Sequence, residues 1–301
     1  MCGLGATIAA LICWPLADAS RFGVAHALPN LALVEWLRFN PSSHAAITAE
    51  LQTRVDSGYF RAWERRELAR VCARLLDHET SSLARRDVAW LLARLGADTP
   101  ADSLAPMMSD RDAAVRALGI EATRRQGPTT DATRGVLSDL VLHDRSALVR
   151  RRAIDAMRAI EDGMDGRARS TILLALDDPS DGVRQSAVCA LVASGDASAE
   201  EVRAVCGRTA DPSEDVRWCA TAALARLDPP TPEALAVLAG SLDDASPMVR
   251  ATAASAIGQL ACATRRPEHA WMLPRLLASA LGDSDDMVRE VARNALRAYW
   301  G

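Results

Sequence analysis

Side chains that could do chemistry are few in this chain and stand far apart. The five histidines, His26, His44, His78, His143 and His269, are dispersed, and His78-Glu79 is the one His-Glu pair. A protein-bound transition metal needs several such donors converging, so neither a metal nor a cofactor is expected. The seven cysteines, Cys2, Cys13, Cys72, Cys189, Cys206, Cys219 and Cys262, contain no Cys-x-x-Cys pair. All 35 basic residues are arginine, which excludes Schiff-base, phosphate-loop and general-base lysine chemistry. There is no glycine-rich phosphate loop, nucleophile elbow or triad spacing. No catalytic residue can be nominated, and the chain reads as non-enzymatic.

Carboxylates are abundant, at Asp177-Asp178, Asp243-Asp244 and Asp283, Asp285 and Asp286, but they fall inside a phrase that returns six times. An Asp is followed two residues later by Ser or Asp, then three residues on by Val-Arg. The valines are Val115, Val149, Val183, Val216, Val249 and Val288, separated by 34, 34, 33, 33 and 39 residues. Ser or Asp three residues before each Val predicts a helix N-cap, and Pro247 after Ser246 suits a first helical position. Pro179 and Pro212 stop the preceding chain from running on as helix. Val183, Ala187, Ala190 and Leu191 then fall on one stripe, as do Val216, Ala220, Ala223 and Leu224. A second apolar helix precedes most phrases, at Val136 to Leu142, Ile172 to Leu176, Val202 to Cys206, Leu235 to Leu242 and Leu273 to Leu281. The repeated carboxylates are therefore read as structural: Asp211 is expected to matter more for stability than Asp165, outside the phrase.

A fixed period with one apolar stripe per unit describes stacked hairpins that bury their faces only against neighbours. The expected fold is all-α, a right-handed solenoid. Only 4% of residues are aromatic, which disfavours strands. Upstream the pattern decays: Leu83 to Leu91 can be laid on the phrase with Leu83 in the Val position, Arg61 to Leu76 forms its first helix, and Leu31 to Leu37 with Ser43 to Val55 forms an earlier hairpin. About eight hairpins, the first two degenerate, are expected in one domain over residues 20–301.

The phrase, as in Asp211-Pro212-Ser213-Glu214-Asp215-Val216-Arg217, resembles the HEAT repeat over about residues 100 to 300. The tetratricopeptide and ankyrin signatures of similar period do not occur. The resemblance implies an Asp–Arg ladder between successive units through Arg116, Arg150, Arg184, Arg217, Arg250 and Arg289. The units are shorter than usual for HEAT and look like those of phycobilin lyases, which leaves a tetrapyrrole-handling protein as an alternative. Deoxyhypusine hydroxylases, also HEAT-like, would need several His-Glu pairs. A base-excising HEAT-like protein would line a basic cleft, which a net charge of −4 with mixed signs disfavours, so nucleic acid is not the expected ligand.

The resemblance places the second helix of each unit on a concave surface, with offsets 2, 6 and 9 from the Val outward. In the first two units these are mostly charged: Ala117, Glu121, Arg124, Arg151, Asp155 and Arg158. In the next three they are small or apolar: Gln185, Cys189, Val192, Trp218, Ala222, Ala225, Ala251, Ser255 and Gly258. The last unit returns to Glu290, Asn294 and Arg297. An exposed face this poor in charge and carrying Trp218 is the expected contact for a protein or peptide partner, with Arg124, Arg151 and Arg158 as candidate anion contacts.

Residues 1–19 carry no charge before Asp18 and end in Ala17-Asp18-Ala19, matching a secretory cleavage pattern without its positive start. Pro15 and Asp18 do not suit a membrane span. Export is favoured over a cytoplasmic location on this ground, whereas the scattered cysteines read as reduced small hydrophobes. Cys206 and Cys219, on the two helices of one hairpin, are placed to face each other; spacing alone assigns no disulfide.

Overall fold

The computed structural model describes residues 29–39, 44–78, 81–127, 130–159, 165–192, 197–227, 230–264 and 271–300. The segment 1–19, with its expected cleavage pattern, lies outside them. Two compact units are present, one of residues 1–137 with 159–162 and one of residues 138–158 with 163–301.

The first unit contains α1 (Asn30–Phe39), α2 (His44–Asp56), α3 (Ala62–His78), α4 (Ser82–Leu95), the short α5 (Leu104–Met108) and α6 (Ala113–Gln126). The boundary between units falls within α7 (Asp131–His143). The second unit continues with α8 (Ala147–Arg158), α9 (Gly166–Ala175), α10 (Asp181–Leu191), α11 (Ala199–Arg208), α12 (Glu214–Leu224), α13 (Pro232–Ser241), α14 (Pro247–Thr264), α15 (Leu273–Gly282) and α16 (Asp286–Trp300). Among the described residues there is no strand. Each phrase opens a helix where expected, and in the second unit α8, α10, α12, α14 and α16 pack side by side in that order. The stripes Val183, Ala187, Ala190, Leu191 and Val216, Ala220, Ala223, Leu224 are buried. Small residues on the stripe bring helix axes close, so α10, α12 and α14 each touch both neighbours.

The capping is more varied than the sequence suggests. Asp112 and Asp285 cap through their carboxylates, accepting from the amides of Ala114 and Met287, both at 2.9 Å. Ser180 and Ser213 occupy the N-cap position without a side-chain cap bond, and Ser246 donates its hydroxyl to Glu214 instead. The repeated Asp does something else. Asp144, Asp178, Asp211, Asp244 and Asp283 each accept from the amide two residues on, at 2.8 to 2.9 Å, which closes the turn before the helix. Asp165, expected to matter less than Asp211, is itself the N-cap of α9 and accepts from the Ala168 amide at 2.7 Å.

The degenerate phrase upstream is shifted by one residue from its expected register. Ser81 caps α4, Arg85 is buried and pairs with Asp110 at 3.2 Å, and Val88, Leu91 and Leu92 form the stripe. Ala84 therefore takes the Val position, and Leu83 is 69% exposed. Arg85, and not Ala84, takes the place of the phrase's Arg.

At the end of the second unit the small outward residues of α14 are not a free surface. Ala251 and Gly258 are buried, and a Cβ on Gly258 would collide with that of Ala295 on α16 and stand 3.0 Å from its Cα. Gly258→Ala is expected to destabilise by about 1–3 kcal/mol through this overpacking. Gly240→Ala, which meets nothing within 4 Å on α13, should be neutral or stabilising by up to about 1 kcal/mol. Thermal melts of the two variants check the contrast; equal melting temperatures would contradict close packing of α14 on α16.

Candidate functional site

The second unit is fastened by four arginine forks. Arg150 grips Asp178 through Nε and Nη2 at 2.6 and 2.7 Å, Arg184 grips Asp211 at 2.8 and 2.7 Å, Arg217 grips Asp244 at 2.8 and 3.0 Å, and Arg250 grips Asp283 at 2.8 Å through both. In each, Nη1 donates to the backbone carbonyl of the Asp in its own phrase, at 2.8 to 3.1 Å. One guanidinium thus ties two consecutive turns, a bidentate geometry suited to the planar fork. Arg289, in the last phrase, donates to the Asp283 carbonyl and pairs with Asp286. A second tie joins first helices, where Arg169 on α9 reaches the buried Glu201 on α11 at 2.9 Å while Glu201 also completes a capping box with Ser198. These charges are occupied in holding the stack and are not offered to a ligand.

The face left over is the outward side of α8, α10 and α12. Trp218 on α12 is 38% exposed, Cys189 on α10 is exposed, and Gln185 and Ala222 are half-buried. Val192 does not belong with them: α10 ends at Leu191, Val192 is its C-cap, and at 4% exposure it turns inward with the chain. Arg151 and Arg158 on α8 are exposed. Arg124, in the first unit, is exposed but held by Glu121 on the same helix at 2.8 and 2.9 Å. The Arg124 hydrogen bond leads the causes that bring the Glu121 carboxyl down to about 2, with Arg125 adding to it against the opposing effect of burial. A matched intrahelical pair of this kind is an ordinary solvated helix face.

Neighbouring second helices are offset by about three residues. Cys189, six residues past its Val, is bonded in a disulfide to Cys219, three residues past its own, with Cα atoms 6.6 Å apart. Arg151 lies over Gly182, where a Cβ would come within 3.9 Å of Nη1. Carried across the face, this slant brings Trp218 level with Cys189, and Cys189 level with Arg158.

The disulfide corrects the reading of the cysteines. Cys219 does not pair with Cys206, which is buried and free, its thiol pushed up to about 11 by burial and the nearby Glu233 charge. Cys189 and Cys219 are 30 residues apart, one repeat less three residues, so the pair links successive units and not the two helices of one hairpin. That spacing was the available signal.

Among the described residues no group of three or more His, Cys, Asp or Glu could hold a metal ion, and no helix is long and apolar enough to cross a membrane. His78 is described but Glu79 is not.

Comparison with known proteins agrees with the geometry. The family described as HEAT repeats matches residues 202–297. No curated protein matches the chain in sequence. Among solved structures, YibA of Escherichia coli is 21% identical with a TM-score of 0.58, over 94% of this chain and 96% of that one. Kap95p, solved with RanGDP, is 14% identical with a TM-score of 0.62, over 90% of this chain and 40% of that one. Importin beta is 16% identical with a TM-score of 0.61, over 92% of this chain and 41% of that one. None of these findings bears on phycobilin lyases. Residues 202–297 match the HEAT-repeat family, and the chain shares the helical-repeat solenoid fold of these structures.

Proposed function

We propose that this chain is a non-enzymatic interaction scaffold that holds a peptide or protein segment against the outward face of α10 and α12, centred on Trp218. The observation that carries this reading is the exposure of Trp218 beside the uncharged side chains of Gln185, Cys189 and Ala222. Aromatic side chains in such settings anchor interfaces, because they bury large area at small entropic cost. The Cys189–Cys219 bond fixes α10 against α12 and so presets the surface a partner would meet, which lowers the ordering cost of binding. The fold supports the reading only in kind: Kap95p, which shares it, was solved with RanGDP.

The test is capture of partners from the native host on the immobilised chain, followed by affinity measurement on the partner identified. Trp218→Ala should weaken binding by roughly 2 kcal/mol, about thirtyfold, and leave the melting temperature nearly unchanged. If binding is untouched while the melting temperature drops sharply, Trp218 is part of the core and this face is not the binding surface.

A further inference from the structure

Taking the Trp218 face as the binding surface, we infer that the segment it holds is acidic, with carboxylates on α8 and an apolar residue on Trp218. Arg151, Arg152 and Arg158 are exposed on α8, Arg145 is exposed on the turn leading into it, and none of the four has an ion-pair partner among the described residues. They differ in this from Arg150, Arg169, Arg184, Arg217 and Arg250, each of which grips a carboxylate. The acidic groups nearest in the sequence and on the adjoining helix end are Asp144, which precedes Arg145 and accepts from the Ser146 amide at 2.8 Å, Asp155, half-buried on α8, and Asp181, which accepts from the Gly182 amide at 2.7 Å. A chain of net charge −4 thus carries a local surplus of positive charge on one helix of this face. Such a surplus recruits and orients an oppositely charged partner.

The arrangement also selects the shape of that partner. Arg151 and Arg158 are seven residues apart, so they stand on one side of α8 about 10 Å apart along its axis. The slant between helices makes Arg158, Cys189 and Trp218 a row across α8, α10 and α12. Two helix spacings of about 8–10 Å each separate the ends of that row, which an extended chain spans in about five or six residues. A segment with acidic residues about six positions from a Leu, Met or aromatic residue would reach both ends. A nucleic-acid backbone fits less well, because it needs a continuous cationic track, whereas the row passes to Cys189, and Glu214 and Asp215 are exposed at the start of α12.

The experiment uses the full chain and a fluorescein-labelled peptide of about twelve residues, with a run of glutamates at one end and Leu-Trp about six residues on, read by anisotropy. The peptide should bind, and Arg151→Glu with Arg158→Glu should weaken binding about tenfold or more, steeply dependent on salt, without altering the helical circular dichroism. Replacing the glutamates by glutamines should weaken it comparably. The acidic assignment is overturned if the peptide fails to bind, if the double charge reversal leaves its affinity unchanged, or if a single-stranded oligonucleotide binds more tightly through the same arginines. Trp218→Ala separates this inference from the reading it rests on. Peptide binding lost with Trp218→Ala but kept in the arginine variant leaves the Trp218 face standing and removes the acidic partner. Binding that needs the arginines and ignores Trp218 keeps the acidic partner and moves the surface to α8.

Discussion

Arg184→Ala is expected to lower the free energy of unfolding by about 3 kcal/mol, because it leaves the Asp211 carboxylate, 1% exposed, without its counter-ion. The same change removes the Nη1 bond to the Asp178 carbonyl at 3.0 Å, so two consecutive turns lose their tie together. Arg226→Ala, on an exposed residue outside the ladder, should stay within about 0.5 kcal/mol. Urea denaturation of both variants measures the difference, and equal midpoints would deny the ladder its structural role. The ladder also sets the acid limb of stability. Burial pushes the Asp211 and Asp244 carboxyls up, but hydrogen bonds from Arg184 and the Ser213 amide, and from Arg217 and the Ser246 amide, outweigh it and hold both below the usual range. The Arg250 hydrogen bond leads the same lowering at Asp283. A carboxylate with a depressed folded-state pKa contributes its full stability above the unfolded value of about 3.9 and loses it as pH falls through the folded value. The melting temperature should therefore hold from about pH 7 to about 5 and fall below about 4. Arg184→Ala should blunt that fall.

Opening the Cys189–Cys219 bond is expected to cost about 3 kcal/mol, since it releases a cross-link between residues 30 apart and restores that freedom to the unfolded chain. Cys189→Ser should destabilise by this amount in oxidising buffer, and wild type in excess dithiol should melt with the variant. Non-reducing peptide mapping should recover the Cys189 and Cys219 peptides joined. Immediate alkylation of Cys189 in folded, unreduced protein, with no effect of dithiol on stability, would show the pair unlinked. Cys72 and Cys206 should resist alkylation in the folded state, because burial pushes both thiols up and keeps the thiolate scarce.

The helical repeat was legible in the residues because stripe, cap position and period are local: Val183, Ala187, Ala190 and Leu191 specify one helix face whatever lies beyond it. The ladder partners came from resemblance, and the coordinates supplied their bidentate geometry. Where a reading depended on which neighbour covers a side chain, one strand of sequence was insufficient. The outward offset of Ala251 and Gly258 suggested a free groove, yet Ala251 is buried and α16 closes over Gly258, because residues without bulk invite a helix as readily as a ligand. The same offset placed Val192 outward, although the helix stops one residue earlier and the chain turns in.

By itself, then, the sequence determined the all-helical repeat, the positions of its second helices and the exposure of Trp218, since each follows from 3.6-residue periodicity within one unit. The tertiary structure decided that Cys189 bonds to Cys219, that Arg151 and Arg158 stay open, and that α14 is covered. Those outcomes depend on the slant between adjacent helices and on side-chain reach across it, which the pattern within one unit does not set.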